Sequence, residues 1–229
     1  MTTISANLQD VLARIHDAAE KSGRNPDDIS LLAVSKTWPA SAVREAANAG
    51  QTAFGENYVQ EGVDKVAELS ALGLDWHFIG PLQSNKTRRV AESFAWVHSI
   101  DRLKIAERLS EQRPDDLPPL QVCLQVNVSG EETKSGIALD EVAELAKQLV
   151  LLPHLKLRGL MAIPAPVEDF ALQRQAFRRL RELFDDLNNT GFSLDTLSMG
   201  MSHDLEAAIA EGATMVRIGT AIFGERTYV

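Results

Sequence analysis

Leu31-Leu32-Ala33-Val34-Ser35-Lys36-Thr37-Trp38-Pro39 is the stretch from which the fold is read. Leu31 to Val34 are apolar without polar alternation, the pattern of a strand covered on both faces, which belongs to a parallel sheet. The run ends on Lys36 and is broken by Pro39, so the lysine stands at the carboxyl end of the strand. In parallel α/β folds that end gathers ligands and catalytic groups. An amine held there is partly desolvated, which frees its lone pair for attack on a carbonyl, the chemistry of a Schiff-base lysine. A lysine that only leaves the strand for water would look the same in this stretch alone.

A strand–helix rhythm extends outward from it. Ile4, Leu8, Val11, Leu12, Ile15 and Ala19 recur at helical spacing before Gly23 and predict an extra N-terminal helix. After Pro39 a helix is expected over Ala42–Ala49, capped by Ser41 and closed by Gly50. Further strands are expected at Thr52–Gly55, Asp75–Gly80, Phe94–Ile100, Leu120–Val128, Leu155–Ile163, Ser193–Met199 and Thr214–Ile218. Helical patterns at Tyr58–Leu69, Asn85–Glu92, Asp101–Gln112, Asp140–Val150, Phe170–Leu187 and Leu205–Ala210 separate them. In Leu120–Val128 the residues Val122, Leu124, Val126 and Val128 fall on one face, Gln121, Cys123, Gln125 and Asn127 on the other. Proline-rich Arg113–Pro119 fits a domain linker or a helix-to-strand loop, and the unbroken rhythm favours the loop. Eight strands alternating with helices predict a single (β/α)8 TIM barrel, one α/β domain over residues 1–229. A doubly wound dinucleotide sheet would place glycine in the first strand–helix loop, and Ser35–Ser41 has none.

Composition sets the outer bounds. With 45% hydrophobic and 24% charged residues, 229 residues suffice for a full core. A net charge of −9 disfavours nucleic acid or an anionic membrane as the main partner, without excluding a small basic pocket for a phosphate. One cysteine, Cys123, allows neither an internal disulfide nor a Cys-based zinc site, and no metal is expected. Asp10, Arg14, Asp17 and Glu20 interrupt the first apolar series, so neither a signal peptide nor a membrane span is expected, and the reading is cytoplasmic.

In a barrel the loops after strands seven and eight most often dock phosphates. Here they read Ser198-Met199-Gly200-Met201-Ser202-His203-Asp204 and Arg217-Ile218-Gly219-Thr220-Ala221. Ser202 either meets an anion at a helix start or caps that helix, and Gly219 either admits a phosphate or eases a turn. Arg217, inside an apolar strand, needs a buried acceptor, either a structural partner such as Glu56 or a ligand. His77 is a ligand contact or a satisfied core histidine, and Asn57 a ligand contact or a helix cap. His16, His98 and His154 have no partners at catalytic or metal-ligand spacing and are expected at the surface or in helix packing, while Asp115-Asp116 and Glu131-Glu132 read as solvated loop charges.

A Schiff-base lysine, a phosphate cup and an arginine at the mouth suggest a phosphorylated pyridine aldehyde. The chain resembles the pyridoxal phosphate homeostasis proteins, single-domain relatives of the alanine racemase barrel. The resemblance is carried by Leu32–Lys36, Phe54–Tyr58, Trp76–Lys86, Arg158–Met161, Ser198–Ser202 and Val216–Gly224, in order across nearly the whole chain. It implies pyridoxal 5'-phosphate (PLP) as cofactor, held as a Schiff base on Lys36, with Ser202, Gly219 and Thr220 on the phosphate and Arg217 facing the pyridine nitrogen. It further implies cofactor contacts at Asn57, His77 and Met161, and a role in storing, delivering and buffering PLP, with apo PLP-dependent enzymes as recipients and a monomeric chain. His203 and Thr37-Trp38 depart from the family pattern as read here. The alternative is a racemase-like PLP enzyme, against which the expected absence of the racemases' second, tyrosine-bearing domain counts. A cofactor-free lysine aldolase is a third possibility. In the loop Glu131–Gly136, Lys134 is either an exposed charge or an acceptor of the aldehyde from Lys36.

Overall fold

The structure, a computed structural model, describes residues 3–130 and 135–225. Helix α1 (Ile4–Lys21) comes first, and β1 (Ser30–Val34), α2 (Ala40–Asn48), β2 (Ala53–Glu56), α3 (Val59–Glu68) and β3 (Asp75–Phe78) follow. The alternation continues through α4 (Thr87–Ser93), β4 (Trp96–Ile100), α5 (Leu103–Gln112), β5 (Leu120–Gln125), α6 (Val142–Leu149) and β6 (Leu155–Met161). It ends with α7 (Phe170–Asn189), β7 (Thr196–Ser198), α8 (Leu205–Ala210), β8 (Met215–Ile218) and the short α9 (Thr220–Phe223). The strands are parallel and close in sequence order, β8 pairing with β1 through Leu32↔Arg217 and Ala33↔Ile218. This is the expected (β/α)8 barrel with an added N-terminal helix.

Period two along each strand divides the side chains between lumen and helix layer. Leu31, Ala33, Phe54, Phe78, Val97, Val122, Leu124, Leu160, Leu197, Val216 and Ile218 pack outward in one continuous core with the helices. In α1 the buried stripe Leu8, Val11 and Ile15 closes against the same core, each side chain contributing roughly 1.5–3 kcal/mol by burial. A separate small cluster of Trp96, Cys123 and Met161 fills part of the lumen. Beside it and Leu32 the lumen holds polar groups, with His77, His98, Ser198 and Arg217 all buried. Two glycines set the strand spacing. A Cβ on Gly159 would stand 1.7 Å from the Thr196 carbonyl oxygen, and one on Gly80 would stand 2.2 Å from that of Asn57.

Several boundaries differ from the sequence reading. β5 stops at Gln125, with a register shift at Val122/Cys123; beyond it the chain pairs with Ile137 instead, through Asn127 N–H to Ile137 O and Ile137 N–H to Gln125 O. β6 ends at Met161, and Ile163 is exposed. β7 has three residues rather than seven. Ser41 does not cap α2, which already starts at Ala40 behind Pro39. Arg113–Pro119 is a helix-to-strand loop pinned to the barrel, since Arg113 donates to the carbonyls of Ala91, Phe94 and Pro118.

Candidate functional site

Register brings the expected residues together at the carboxyl ends of neighbouring strands. Val34 pairs with Gly55, and Ser35 N–H donates to Gly55 O at 3.0 Å, so β1 runs out toward Lys36 and β2 toward Asn57 at the same end of the barrel. On the other flank of β1, a Cβ on Gly219 would come within 3.1 Å of the Val34 carbonyl. Thr220 follows as the first residue of α9, where the opening N–H groups have no acceptor within the helix. Ser202 lies in the loop after β7, whose Ser198 pairs with both Met161 of β6 and Met215 of β8. Met161, Ser202, Arg217, Gly219, Thr220, Lys36 and Asn57 thus occupy one arc from β6 through β8 to β2.

The supports of this arc are specific. Arg217 is buried in the lumen and donates through Nη1 to the Ser198 carbonyl and to Ser198 Oγ (2.8 Å), and through Nη2 to Ala162 O (2.9 Å). These use at most three of the five guanidinium donors and leave at least two for a ligand. Burial pushes the Arg217 pKa down to about 10, opposed by Asp204 and Cys123, so the group stays charged near neutrality. Glu56 is not its partner; it accepts from Ser35 Oγ at 2.6 Å and Lys65 Nζ at 2.7 Å. Burial raises the Glu56 pKa against the pull of Lys65. The Ser202 loop is held from α1, as Arg14 Nη2 donates to Ser202 O at 3.3 Å and to Glu206 Oε1 at 2.8 Å. Ser202 does not cap α8. Asp204 stands at that position and accepts from Met201 N–H at 2.6 Å; burial raises its pKa. Asn57 does not cap α3 either, since Tyr58 is the cap residue, and Asn57 Oδ1 is buried without a hydrogen-bond partner. An orphaned buried acceptor costs ~1–3 kcal/mol and suits a ligand that brings a donor.

His77 is the exception among the expected contacts. Its Nδ1 lies 2.8 Å from His98 Nε2 and its Nε2 lies 3.2 Å from Asp75 Oδ2, so both ring nitrogens are committed inside the protein. It is the satisfied core histidine. His98 corrects the sequence reading outright: it is buried in the lumen, with Nδ1 2.9 Å from Ser198 Oγ. His154 does pack against a helix, 2.8 Å from Ser110 O, and also lies 3.3 Å from Asp115. His16 is exposed on α1, with ligand-type atoms of Asp17 and Glu20 within 4.8 Å, a grouping that spacing did not suggest. Lys134, Glu131, Glu132 and Tyr228 lie outside the described residues. A cavity of about 1000 Å³ borders the arc at the ends of β5 to β7, lined by Gln125, Ile163, Pro164, Met201, His203 and Asp204. Lys36 does not line it.

Sequence reasoning missed Lys65. Its ammonium is buried and donates to Ser35 O (2.8 Å), Glu56 Oε1 (2.7 Å) and Glu61 Oε1 (2.6 Å). The available signal was its place on the stripe Gly62, Lys65, Leu69, which faces the barrel.

The sequence profile described as "Alanine racemase, N-terminal domain" matches residues 6–227. A pyridoxal phosphate homeostasis protein of Pseudomonas aeruginosa is 64% identical over 228 residues, covering 100% of this chain and 98% of that protein. The chain belongs to the pyridoxal phosphate homeostasis family. A second family member, from Escherichia coli K12, is 58% identical over 231 residues, covering 100% of this chain and 99% of that protein. The family's barrel is also seen in PipY of Synechococcus elongatus PCC7942, solved with PLP bound. PipY is 40% identical, with a TM-score of 0.81 covering 92% of this chain and 100% of PipY. Among the described residues no helix is long and apolar enough to cross a membrane.

Proposed function

We propose that this chain binds PLP at the arc from Met161 to Asn57, attached through Lys36 Nζ, and serves to hold, buffer and hand on the cofactor rather than to turn over amino acids. The observation that carries this reading is Asn57 Oδ1, a buried acceptor without a partner just past the end of β2, the strand that pairs with the one leading into Lys36. PLP supplies an aldehyde for an amine and, beside it on the ring, a hydroxyl donor for an amide oxygen. Gly219, Thr220 and Ser202 would hold its phosphate through backbone N–H groups and a hydroxyl. Arg217 would face the ring nitrogen with its remaining donors and, as a permanent donor, keep that nitrogen unprotonated. Names of close relatives and the PLP-bound PipY structure support the same ligand. Recipients would be apo forms of PLP-dependent enzymes, with the chain working in the cytoplasm.

The test is reconstitution with PLP followed by borohydride reduction and peptide mass spectrometry. The reduced pyridoxyl group is expected on the peptide containing Lys36, and Lys36→Ala is expected to lose it while remaining folded. A label on another lysine, or an undiminished label in Lys36→Ala, would overturn the assignment.

A further inference from the structure

Lys36 sits between two residues that are tied to one buried ion cluster. Before it, the Ser35 carbonyl accepts from Lys65 Nζ at 2.8 Å and the Ser35 hydroxyl donates to Glu56 Oε1 at 2.6 Å. After it, Thr37 N–H donates to Glu61 Oε1 at 2.5 Å. Lys65 joins both sides, donating to Glu56 and Glu61 at 2.7 and 2.6 Å, so its three ammonium protons are all engaged. The approach that allows this is close: a Cβ on Gly62 of α3 would stand 2.6 Å from Phe94 Cζ and 3.1 Å from Glu56 Cβ. Thr37 meanwhile has φ of 69°, the only positive value at a non-glycine among the described residues. A β-branched residue in the left-handed region is strained, and such a conformation persists only where its surroundings over-determine it. Two contacts hold it: Trp38 N–H closes the turn on Ser35 O at 3.0 Å, and Glu61 is the side-chain acceptor for Thr37 N–H.

We propose that Lys65, Glu61 and Glu56 are positioning residues for Lys36. Their cluster fixes the backbone on both sides of the lysine, holds Thr37 in its strained turn, and thereby sets where the Lys36 amine meets an aldehyde. The inference rests on the reading of Lys36 as the attachment point. In that step the neutral amine attacks the carbonyl carbon, a C=N bond forms, and the carbonyl oxygen leaves as water with the two amine protons. Freezing the turn beforehand removes an ordering cost from this condensation and does nothing for a ligand that cannot condense.

That difference supplies the test. Affinity is measured for PLP, read as the borohydride-trapped fraction on Lys36, and for deoxypyridoxine phosphate, which carries a methyl group in place of the aldehyde. Glu61→Ala, made at a partly exposed carboxylate, is expected to weaken PLP about tenfold, equivalent to ~1.4 kcal/mol, and to leave the deoxy compound within about twofold, less than ~0.5 kcal/mol. Lys65→Met is expected to do the same and to lower thermal stability as well. Thr37→Gly, added to Glu61→Ala, is expected to recover most of the loss, because glycine takes φ near +69° without strain. Equal losses for both ligands would mean that the cluster only supports the fold, and unchanged PLP affinity would mean that it does not act on Lys36; either overturns the proposal. If instead the wild-type protein is trapped on a residue other than Lys36, the attachment reading itself fails.

Discussion

His77 Nδ1 and His98 Nε2 meet at 2.8 Å inside the barrel, and this contact orders the protons of a string that crosses it. Arg217 Nη1 can only donate, so Ser198 Oγ accepts from it and is free to donate to His98 Nδ1 at 2.9 Å. His98 then carries its proton on Nε2 and donates to His77 Nδ1, and His77 donates from Nε2 to Asp75 Oδ2 at 3.2 Å. Every proton points from the guanidinium at one end to the carboxylate at the other. Both imidazoles are neutral in this arrangement; a proton added to His77 Nδ1 would face the His98 Nε2 proton, and one added to His98 Nδ1 would turn the Ser198 hydroxyl proton away.

That ordering makes stability depend on pH with a definite sign. Burial lowers the His77 pKa, and lowers that of His98 well below the ordinary 6.5. The unfolded chain therefore takes up protons first as pH falls, so the contribution of the pair is complete above about 6.5 and is lost below it. Glu56 and Asp204, whose pKa values are raised by burial, act in the opposite sense. Asp195 and Glu211, held low by arginines, lose their contribution only at more acid pH. The denaturation midpoint is expected to fall between pH 7 and 5, and to fall less steeply in a His77→Gln/His98→Gln double variant. Parallel slopes in the two proteins would contradict the neutral string.

The close approach of β6 to β7 gives a second expectation. Gly159→Ala puts a methyl group 1.7 Å from the Thr196 carbonyl, backbone that cannot rotate away. The strands must part, and a loss of at least about 1–3 kcal/mol, the range for overpacking, is expected from urea unfolding. Gly73→Ala is the control for steric room, since nothing lies within 4 Å of the added Cβ. It carries only the strain of φ +62°, about 1 kcal/mol.

Much of the barrel was legible because its signals are local. Apolar runs bounded by turns mark the strands, and Lys36 and Arg217 stand out because a charge interrupts or ends such a run. Strand ends were overestimated where apolar residues continue past the last pairing, as Val126 and Val128 do, both buried in the main core. His98 was misplaced because its partners His77 and Ser198 lie 21 and 100 residues away, a distance that spacing rules cannot cross. Lys65 hid in a surface-like Glu61–Lys65 pair at i,i+4, which masks the buried stripe it shares with Gly62 and Leu69. The N-cap position falls to Asp204 rather than Ser202 for a similar reason: loop geometry, rather than residue type, chooses between neighbouring candidates, and the Asp204 carboxylate turns back to Met201 N–H instead of capping α8.

Ser202→Ala and Arg217→Gln are expected to separate retention from colour. The serine change removes the hydrogen bond proposed to reach the charged phosphate, about 1.5–3 kcal/mol, and should speed PLP loss on dialysis with an unchanged visible band. The arginine change removes the donor proposed to face the ring nitrogen and should shift that band. It also leaves Ser198 and Ala162 carbonyls short of donors, so lower thermal stability is expected in this variant alone. Identical spectra in wild type and Arg217→Gln would remove the proposed ring orientation.

The last expectation concerns catalysis. Racemisation at an amino-acid Cα requires a base on each face, and one of these can be the Schiff-base lysine. Of the titratable groups bordering the cavity beside the arc, Asp204 is committed to the Met201 N–H at 2.6 Å, while His203 and Glu168 are exposed, where water competes. Tyr58, the only tyrosine among the described residues, is 56% exposed. A guanidinium that leaves the ring nitrogen unprotonated also makes the bound ring a poorer sink for Cα electrons. The proposed carrier role is in keeping with these placements. Holo-protein incubated in deuterated water with a panel of free L- and D-amino acids is therefore expected to show no Cα exchange above background by NMR. Lys36-dependent exchange of even one amino acid at about 1 per second or faster would replace the carrier by an enzyme.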